Sequence, residues 1–282
     1  MKNLNGMWAV VTGASSGIGE EYARQLAERG ASVIVVARRQ DRLDKLAEAL
    51  KAKYGVEADT IALDLSKDGS AQALFSKATA GGRKIQILVN NAGIGAYGPF
   101  LERPLDRQMD TIKLNLFSLT ETTYLFAQHM LSHGKPSYVS NVASIASFVH
   151  VPRFAVYSGS KYYVRTFSEA LHFELKGSNI QVSCLCPGGT YTEFLEQAGQ
   201  SLTASGRMAM MSAAAVAKVG IDGMLKGKPT VVPGLINKLM VFLPRIMPRS
   251  VIIPVAGAIM SQGVNMVEAP AGAAGKGTSS HR

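Results

Sequence analysis

The sequence predicts an α/β fold built on a doubly wound parallel sheet with helices on both faces. Two observations carry that reading. Short apolar runs alternate with amphipathic stretches through the first two-thirds of the chain, which is the rhythm of βαβ units. The second run, "SVIVVA" (32–37), is apolar without interruption, as a strand covered on both faces requires. The elements follow in order. "WAVVT" (8–12) opens the series, and Ile18, Tyr22 and Leu26 then recur at i, i+4 and i+8 until Gly30, a helix stop. After the second strand, Leu43, Leu46 and Leu50 mark another helix. "ADTIAL" (58–63), "IQILVN" (85–90), "SYVSNV" (137–142) and "IQVSCL" (180–185) complete six strands with helical segments between them.

At 282 residues the chain is long enough for one large domain with an ample core. The expected organisation is a single domain over 1–262, with a substrate lid and helical C-terminal extension from about 193. Residues 263–282 are expected to be a tail, disordered in its small, polar, Gly-rich end from Ala269. A hydrophobic content of 47% with 18% charged residues argues against global disorder. No apolar run of signal-peptide length opens the sequence, so a cytoplasmic location is expected. Cys184 and Cys186 alternate on one strand and read as buried thiols rather than a disulfide framework.

The net charge of +10 is uneven. Residues 1–200 carry 21 Lys+Arg against 18 Asp+Glu, giving +3, whereas 201–282 carry 9 against 2, giving +7. The basic segment shows no aromatic-interleaved patch or recognised nucleic-acid module, so nucleic acid is not an expected partner. An anionic lipid surface fits better. Residues 203–226 read as a mobile and then helical insertion, and "PTVVPG" (229–234) as an edge strand. The apolar stretch 235–260 is interrupted by Pro244, Pro248 and Pro254 and by Lys238, Arg245 and Arg249, too broken to span a bilayer. Two readings fit it: an interfacial helix with Leu235, Leu239, Phe242 and Leu243 on one face, or a helix docked over a cleft.

The residues that carry chemistry begin with "TGASSGIG" (12–19), which joins the first strand to its helix. Gly13 permits a tight turn, Gly17 lets backbone approach a pyrophosphate, and Gly19 allows close helix packing. Ser15, Ser16 and Ile18 complete the turn, and the helix start offers free N–H groups to an anion. The second strand ends in "VVARR". An acid there would bind the adenosine 2′-hydroxyl of NAD(H), but Arg38 and Arg39 instead offer contacts to a 2′-phosphate, favouring NADP(H). "YSGSK" (157–161) places Tyr157 and Lys161 on one helical face, where the ammonium is expected to lower the phenol's pKa from about 10.

Taken together, "TGASSGIG", "LDLS" (63–66), "NNAG" (90–93), Asn115 in "KLNLF", Ser144 in "SNVASIAS", "YSGSK" and "PGGTYT" resemble the short-chain dehydrogenase/reductase family, in its single-domain branch with GxxxGxG spacing. The match runs over roughly residues 5–195. The resemblance implies a Rossmann-type fold and a Ser-Tyr-Lys-Asn site. Ser144 would hydrogen-bond a substrate carbonyl, Tyr157 would deliver the proton, and Lys161 would lower its pKa and bind the nicotinamide ribose. Asn115 would anchor a water behind Lys161. Asp64 and Leu65 would contact the adenine, and Asn91, Ala92 and Gly93 would run against the ribose. Pro187 and Gly188 would lie along the nicotinamide, Thr190 would touch it through its backbone, and Thr192 would meet the carboxamide or diphosphate. Thr190 stands where an aliphatic residue is usual. Ser16 stands where many NADP-preferring members carry a base, which leaves most of the preference to Arg38.

The expected function is therefore an NADPH-dependent reductase converting a ketone or aldehyde to an alcohol, in the direction favoured by a cofactor that cells keep reduced. Phe194, Leu195, Met208, Met210 and Met211 suggest an adaptable lining for an acyl-chain or steroid-like ketone, although methionines serve equally in core packing. The intact Tyr157 and Lys161 count against a non-catalytic NADP(H)-binding regulator, and the glycine spacing counts against an epimerase or dehydratase. His129 and His133 lack the glutamate of a zinc-protease helix, so no metal is expected, and His150 reads as a surface loop residue. Relatives imply a homo-oligomer, dimer or tetramer.

Overall fold

The computed structural model describes residues 3–208 and 210–267. Strands form where the apolar runs lie: β1 Trp8–Thr12, β2 Ser32–Ala37, β3 Ala58–Ala62, β4 Ile85–Asn90, β5 Ser137–Val142 and β6 Ile180–Leu185. A short seventh, β7 Thr230–Val231, falls within the expected edge segment. All seven run parallel in the order β7-β6-β5-β4-β1-β2-β3. The order reverses between β1 and β4, which opens a crevice at the carboxyl ends of the strands.

Seven helices cover the sheet: α1 Gly17–Glu28, α2 Gln40–Tyr54, α3 Ser70–Ala78, α4 Leu105–Ile112, α5 Leu119–His133, α6 Ala155–Glu174 and α7 Ala213–Leu225. Because strand side chains alternate in direction, β1 sends Ala9 and Val11 to one core and Val10 to the other. Leu26, Leu46 and Ile221 close the first core, and Leu74, Phe126 and Met130 close the second. Each such side chain contributes about 1.5–3 kcal/mol by leaving water.

Helix α7 bears out the helical part of the reading for 203–226, but it is a core helix rather than an insertion. Val216, Ala217, Ile221 and Met224 are buried against the sheet, and Arg29, just past the end of α1, pairs with Asp222 at 2.7 Å. Its small residues look like a flexible insertion in the sequence, yet they are what allow close packing. A Cβ on Gly220 would sit 2.9 Å from Leu185 Cδ2 and overlap the Tyr22 hydroxyl.

The extension comprises α8 Leu235–Phe242, a 3₁₀ turn Leu243–Arg245 and α9 Arg249–Gly263. It ends in Val264–Met266, antiparallel to Gln200–Leu202, so the folded chain passes the expected boundary at 262. The tail from residue 268 onward and the Met208 side chain lie outside the described residues. Among the described residues, no helix is long and apolar enough to cross a membrane.

Candidate active site

A cleft of about 1160 Å³ lies just beyond the carboxyl ends of β1 to β6 and reaches under α8 and α9. Of the catalytic and cofactor-binding residues expected from the sequence, all line it except Gly19 and Asn115, which stand behind its wall.

At one end the β1–α1 turn presents a phosphate-sized cradle. Gly17 has φ 61°, and a Cβ there would meet Thr192 Cγ2 at 2.7 Å, so only glycine lets the "TYT" segment close over the turn. Thr12 Oγ1 accepts the N–H groups of Asn91 and Ala92, each at 3.0 Å, and Asn91 Nδ2 donates to Thr12 O at 3.0 Å. These bonds tie the end of β4 to the turn. Ser16 precedes α1 without a side-chain capping bond, so the first amides of the helix keep their donor capacity. The donor set and glycine walls fit a dinucleotide diphosphate.

Beyond β2, Arg39 Nη2 donates to Ser15 Oγ at 2.9 Å and to Ser16 Oγ at 3.2 Å, while Nη1 bonds Glu193 at 2.8 Å. Arg42 bonds the other Glu193 oxygen and holds that carboxyl below its ordinary pKa. Arg38, to which the sequence gives most of the 2′-phosphate, lies exposed on the cleft wall, so the side chain nearest the turn is Arg39. Arg42 and Glu193 are not among the residues read from the sequence. Asp64 Oδ1 accepts from Ser66 N and Oγ at 3.0 and 2.7 Å, which fixes its carboxylate beside Leu65 in the cleft.

In the middle of the cleft, β5 delivers Ser144 and α6 delivers Tyr157 and Lys161. The Ser144 hydroxyl accepts Ala146 N–H at 3.1 Å and faces the Tyr157 phenol, whose pKa it pulls down. Phe154 stacks on the Tyr157 ring with centroids 4.2 Å apart, and Phe194 leans on it at 5.3 Å. Lys161 Nζ donates to Val142 O at 2.9 Å and lies 5.6 Å from the Tyr157 ring centroid. The expected lowering of the phenol by this ammonium is not what the structure shows. Burial dominates and pushes Tyr157 up to about 12, with the Ser144 hydroxyl pulling the other way. Burial likewise brings Lys161 down to about 8. The outcome is a phenol that keeps its proton at neutral pH.

Asn115 sits in a π-helical turn, Lys113–Ser118, that leads into α5. Its Nδ2 donates to Ile94 O at 2.9 Å and Ser160 Oγ at 3.0 Å, and its Oδ1 accepts Ile94 N–H at 3.0 Å. The amide thus clamps the loop after β4 to α6. A Cβ on Gly93 would lie 3.2 Å from Asn115 Oδ1 and 3.3 Å from Lys161 Nζ, so a side chain there would crowd these groups where they converge.

The far end of the cleft is apolar. Met210, Met240, Met247, Ile252 and Met260 line it with Phe194 and Leu195, whereas Met211 packs on the first core instead. Asn237 of α8 donates to Pro233 O at 2.8 Å and fills the space a Cβ on Gly188 would need. Thr190 is buried, with Oγ1 donating to Gly188 O at 3.0 Å. His129 Nε2 accepts Ile85 N–H at 3.1 Å and His133 Nε2 contacts Ile85 O at 3.0 Å, so the pair braces the start of β4. Among the described residues, no cluster of three metal-ligating side chains occurs. His150 is exposed and stacks near Tyr162. Cys184 and Cys186 are buried free thiols.

Known proteins resemble this chain in sequence and fold. The family profile described as short chain dehydrogenase matches residues 7–203. A very-long-chain 3-oxoacyl-CoA reductase of Rattus norvegicus is 38% identical over 188 residues, a match covering 64% of this chain and 59% of the rat protein. A short-chain dehydrogenase from Sphingobium yanoikuyae, solved in complex with NADPH, is 27% identical with a TM-score of 0.75 over 86% of this chain and 97% of its own. A short-chain dehydrogenase/reductase from Burkholderia phymatum in complex with NAD, 24% identical, shares the fold at a TM-score of 0.77 over 86% of this chain and 94% of its own. Matched over most of its length by the family profile and carrying the sheet, turn and cleft described above, the chain belongs to the short-chain dehydrogenase family of oxidoreductases.

Proposed function

We propose that the protein is an NADPH-dependent reductase of hydrophobic ketones, with 3-oxoacyl thioesters as the leading substrate class. The observation that carries this reading is the buried Tyr157 phenol, beside Ser144 and Lys161, in a cleft with a dinucleotide cradle at one end and an apolar chamber at the other. The curated relatives named 3-oxoacyl-CoA reductases support the substrate class. The match spans only 59% of the rat protein's length, so the substrate is argued from the cleft as well.

Gly13, Ser15, Ser16, Gly17 and Ile18 would hold the cofactor diphosphate, and Arg39 with Arg38 and Arg42 would face the adenosine 2′-phosphate. Bound there, the cofactor supplies a hydride to the carbonyl carbon. Ser144 donates a hydrogen bond to the carbonyl oxygen, where charge develops. Tyr157 transfers its proton to that oxygen, giving the alcohol and a phenolate. The Lys161 ammonium, held by Val142 O, stabilises the phenolate at the moment it forms and keeps donors free for the ribose. Asn115 is a positioning residue that clamps the loop against α6. Phe154 and Phe194 fix the Tyr157 ring and keep water from its face.

The reading is tested by NADPH oxidation with a medium-chain 3-oxoacyl thioester, comparing the native chain with Tyr157→Phe. Turnover that disappears in the variant while NADPH still binds supports the reductase. Tight NADPH binding without turnover in the native chain would instead identify a regulator that uses the same fold.

A further inference from the structure

The extension turns its apolar side outward. On α8, Leu235, Ile236, Leu239 and Phe242 are 82%, 70%, 58% and 51% exposed, and their spacing puts them on one helical face. Asn237 and Val241 occupy the opposite, buried face. An ordinary surface helix has this polarity reversed. Helix α9 repeats the pattern, with Val251, Val255 and Ile259 exposed at i, i+4 and i+8 and Ile252 buried. Of the 22 large apolar side chains exposed among the described residues, nine fall within the 25 residues 235–259. Such a concentration marks an interaction surface.

We infer that this face docks on an anionic lipid surface and seats the mouth of the cleft against it. Charge selects the occupant. Lys238, Arg245 and Arg249 are exposed beside the apolar residues, and the segment 235–267 contains no Asp or Glu. A second copy of the chain meeting this face through itself would set cations against cations, whereas anionic headgroups complement them. The helices lie on the bilayer and do not cross it, since none among the described residues is long and apolar enough. Leu243, Val255 and Ile259 are both exposed and part of the cleft wall, so the docked face is also the rim of the opening. A hydrophobic substrate then passes from the leaflet into the chamber without crossing water, a consequence that rests on the reductase reading, although the dock itself does not.

The test uses the full chain and sucrose-loaded phosphatidylcholine vesicles with and without phosphatidylserine, sedimented without cofactor or substrate. Native protein should sediment with the phosphatidylserine vesicles. Replacing Lys238, Arg245 and Arg249 by Gln should weaken binding by roughly fivefold per cation. The double variant Leu235→Asp/Phe242→Asp, which touches no cleft residue, should lose on the order of tenfold or more. Far-UV circular dichroism melts establish that the variants fold. Native protein that stays in the supernatant, or variants that bind as well as native protein, would overturn the dock. So would a loss of dimer in sedimentation equilibrium with vesicle binding unchanged, which would assign the face to a second copy. Vesicle binding without turnover on any ketone would uphold the dock and remove only the reductase reading.

Discussion

The sheet and the extension use apolar residues in opposite ways. In β1, β2 and β4, Val10, Val11, Ile34, Val35, Leu88 and Val89 are wholly buried, and each faces a helix of the same domain. Along α8 and α9 only Asn237, Val241 and Ile252 are buried, while most of the large aliphatic side chains face out or line the cleft. The sheet therefore accounts for its own composition, and the extension does not. The proposed function and dock would supply what it lacks: substrate on the inner side and a lipid surface on the outer. Rigidity and specificity are divided accordingly. Strand ends hold Ser144, Lys161's partner Val142 and the phosphate turn in place, and the extension shapes what can reach them.

The largest effect that sharpens this division is on the strand side. Tyr157→Phe should lower reductive turnover by about 10²–10⁴-fold, measured as kcat in NADPH oxidation, with cofactor affinity retained. Leu74→Ala, in the second core, should lower unfolding free energy by about 2–5 kcal/mol in urea denaturation. A loss below about 1 kcal/mol there would break the claim that the sheet half carries the stability.

Arg39→Ala should weaken NADPH binding by roughly 10–100-fold in a fluorescence titration and leave NADH binding little changed, as removal of a charge-assisted contact to one phosphate requires. Equal loss for both cofactors would make Arg39 a brace for the turn through Ser15 and Ser16. The pH profile follows from Lys161. Burial holds its pKa below the ordinary lysine value, at about 8, so the ammonium is present below that pH and lost above it. Reductive kcat should accordingly fall as pH rises through about 8, whereas Tyr157, at about 12, keeps its proton across the range. The smallest effect belongs to the extension: Leu239→Ala, on the exposed face, should change stability by no more than about 0.5 kcal/mol.

The six long strands are legible from the sequence because two-sided burial writes itself as uninterrupted apolar runs; the ends of those runs carry the turn and the "NNAG", and "YSGSK" lies in the helix α6 that follows β5. Helix α7 is legible as a helix, but its place in the core is not. Its Ala and Gly residues serve close approach to Tyr22 and Leu185, a tertiary property that resembles flexibility in one dimension. The Arg42 and Glu193 pair joins residues 151 positions apart, and no local spacing announces it. Tyr157 shows a third kind of gap. The pairing with Lys161 is visible as i, i+4, but the burial that raises its pKa involves Phe194, distant in sequence, closing on the ring beside Phe154.

The most direct measurement is kcat/KM for NADPH-dependent reduction across 3-oxoacyl thioesters of increasing chain length, with Tyr157→Phe alongside. The account predicts values that climb with acyl length as the chamber of Met210, Met240, Met247 and Met260 fills, and that vanish at every length in the variant. A profile flat in chain length, or activity confined to small polar carbonyls, would contradict it.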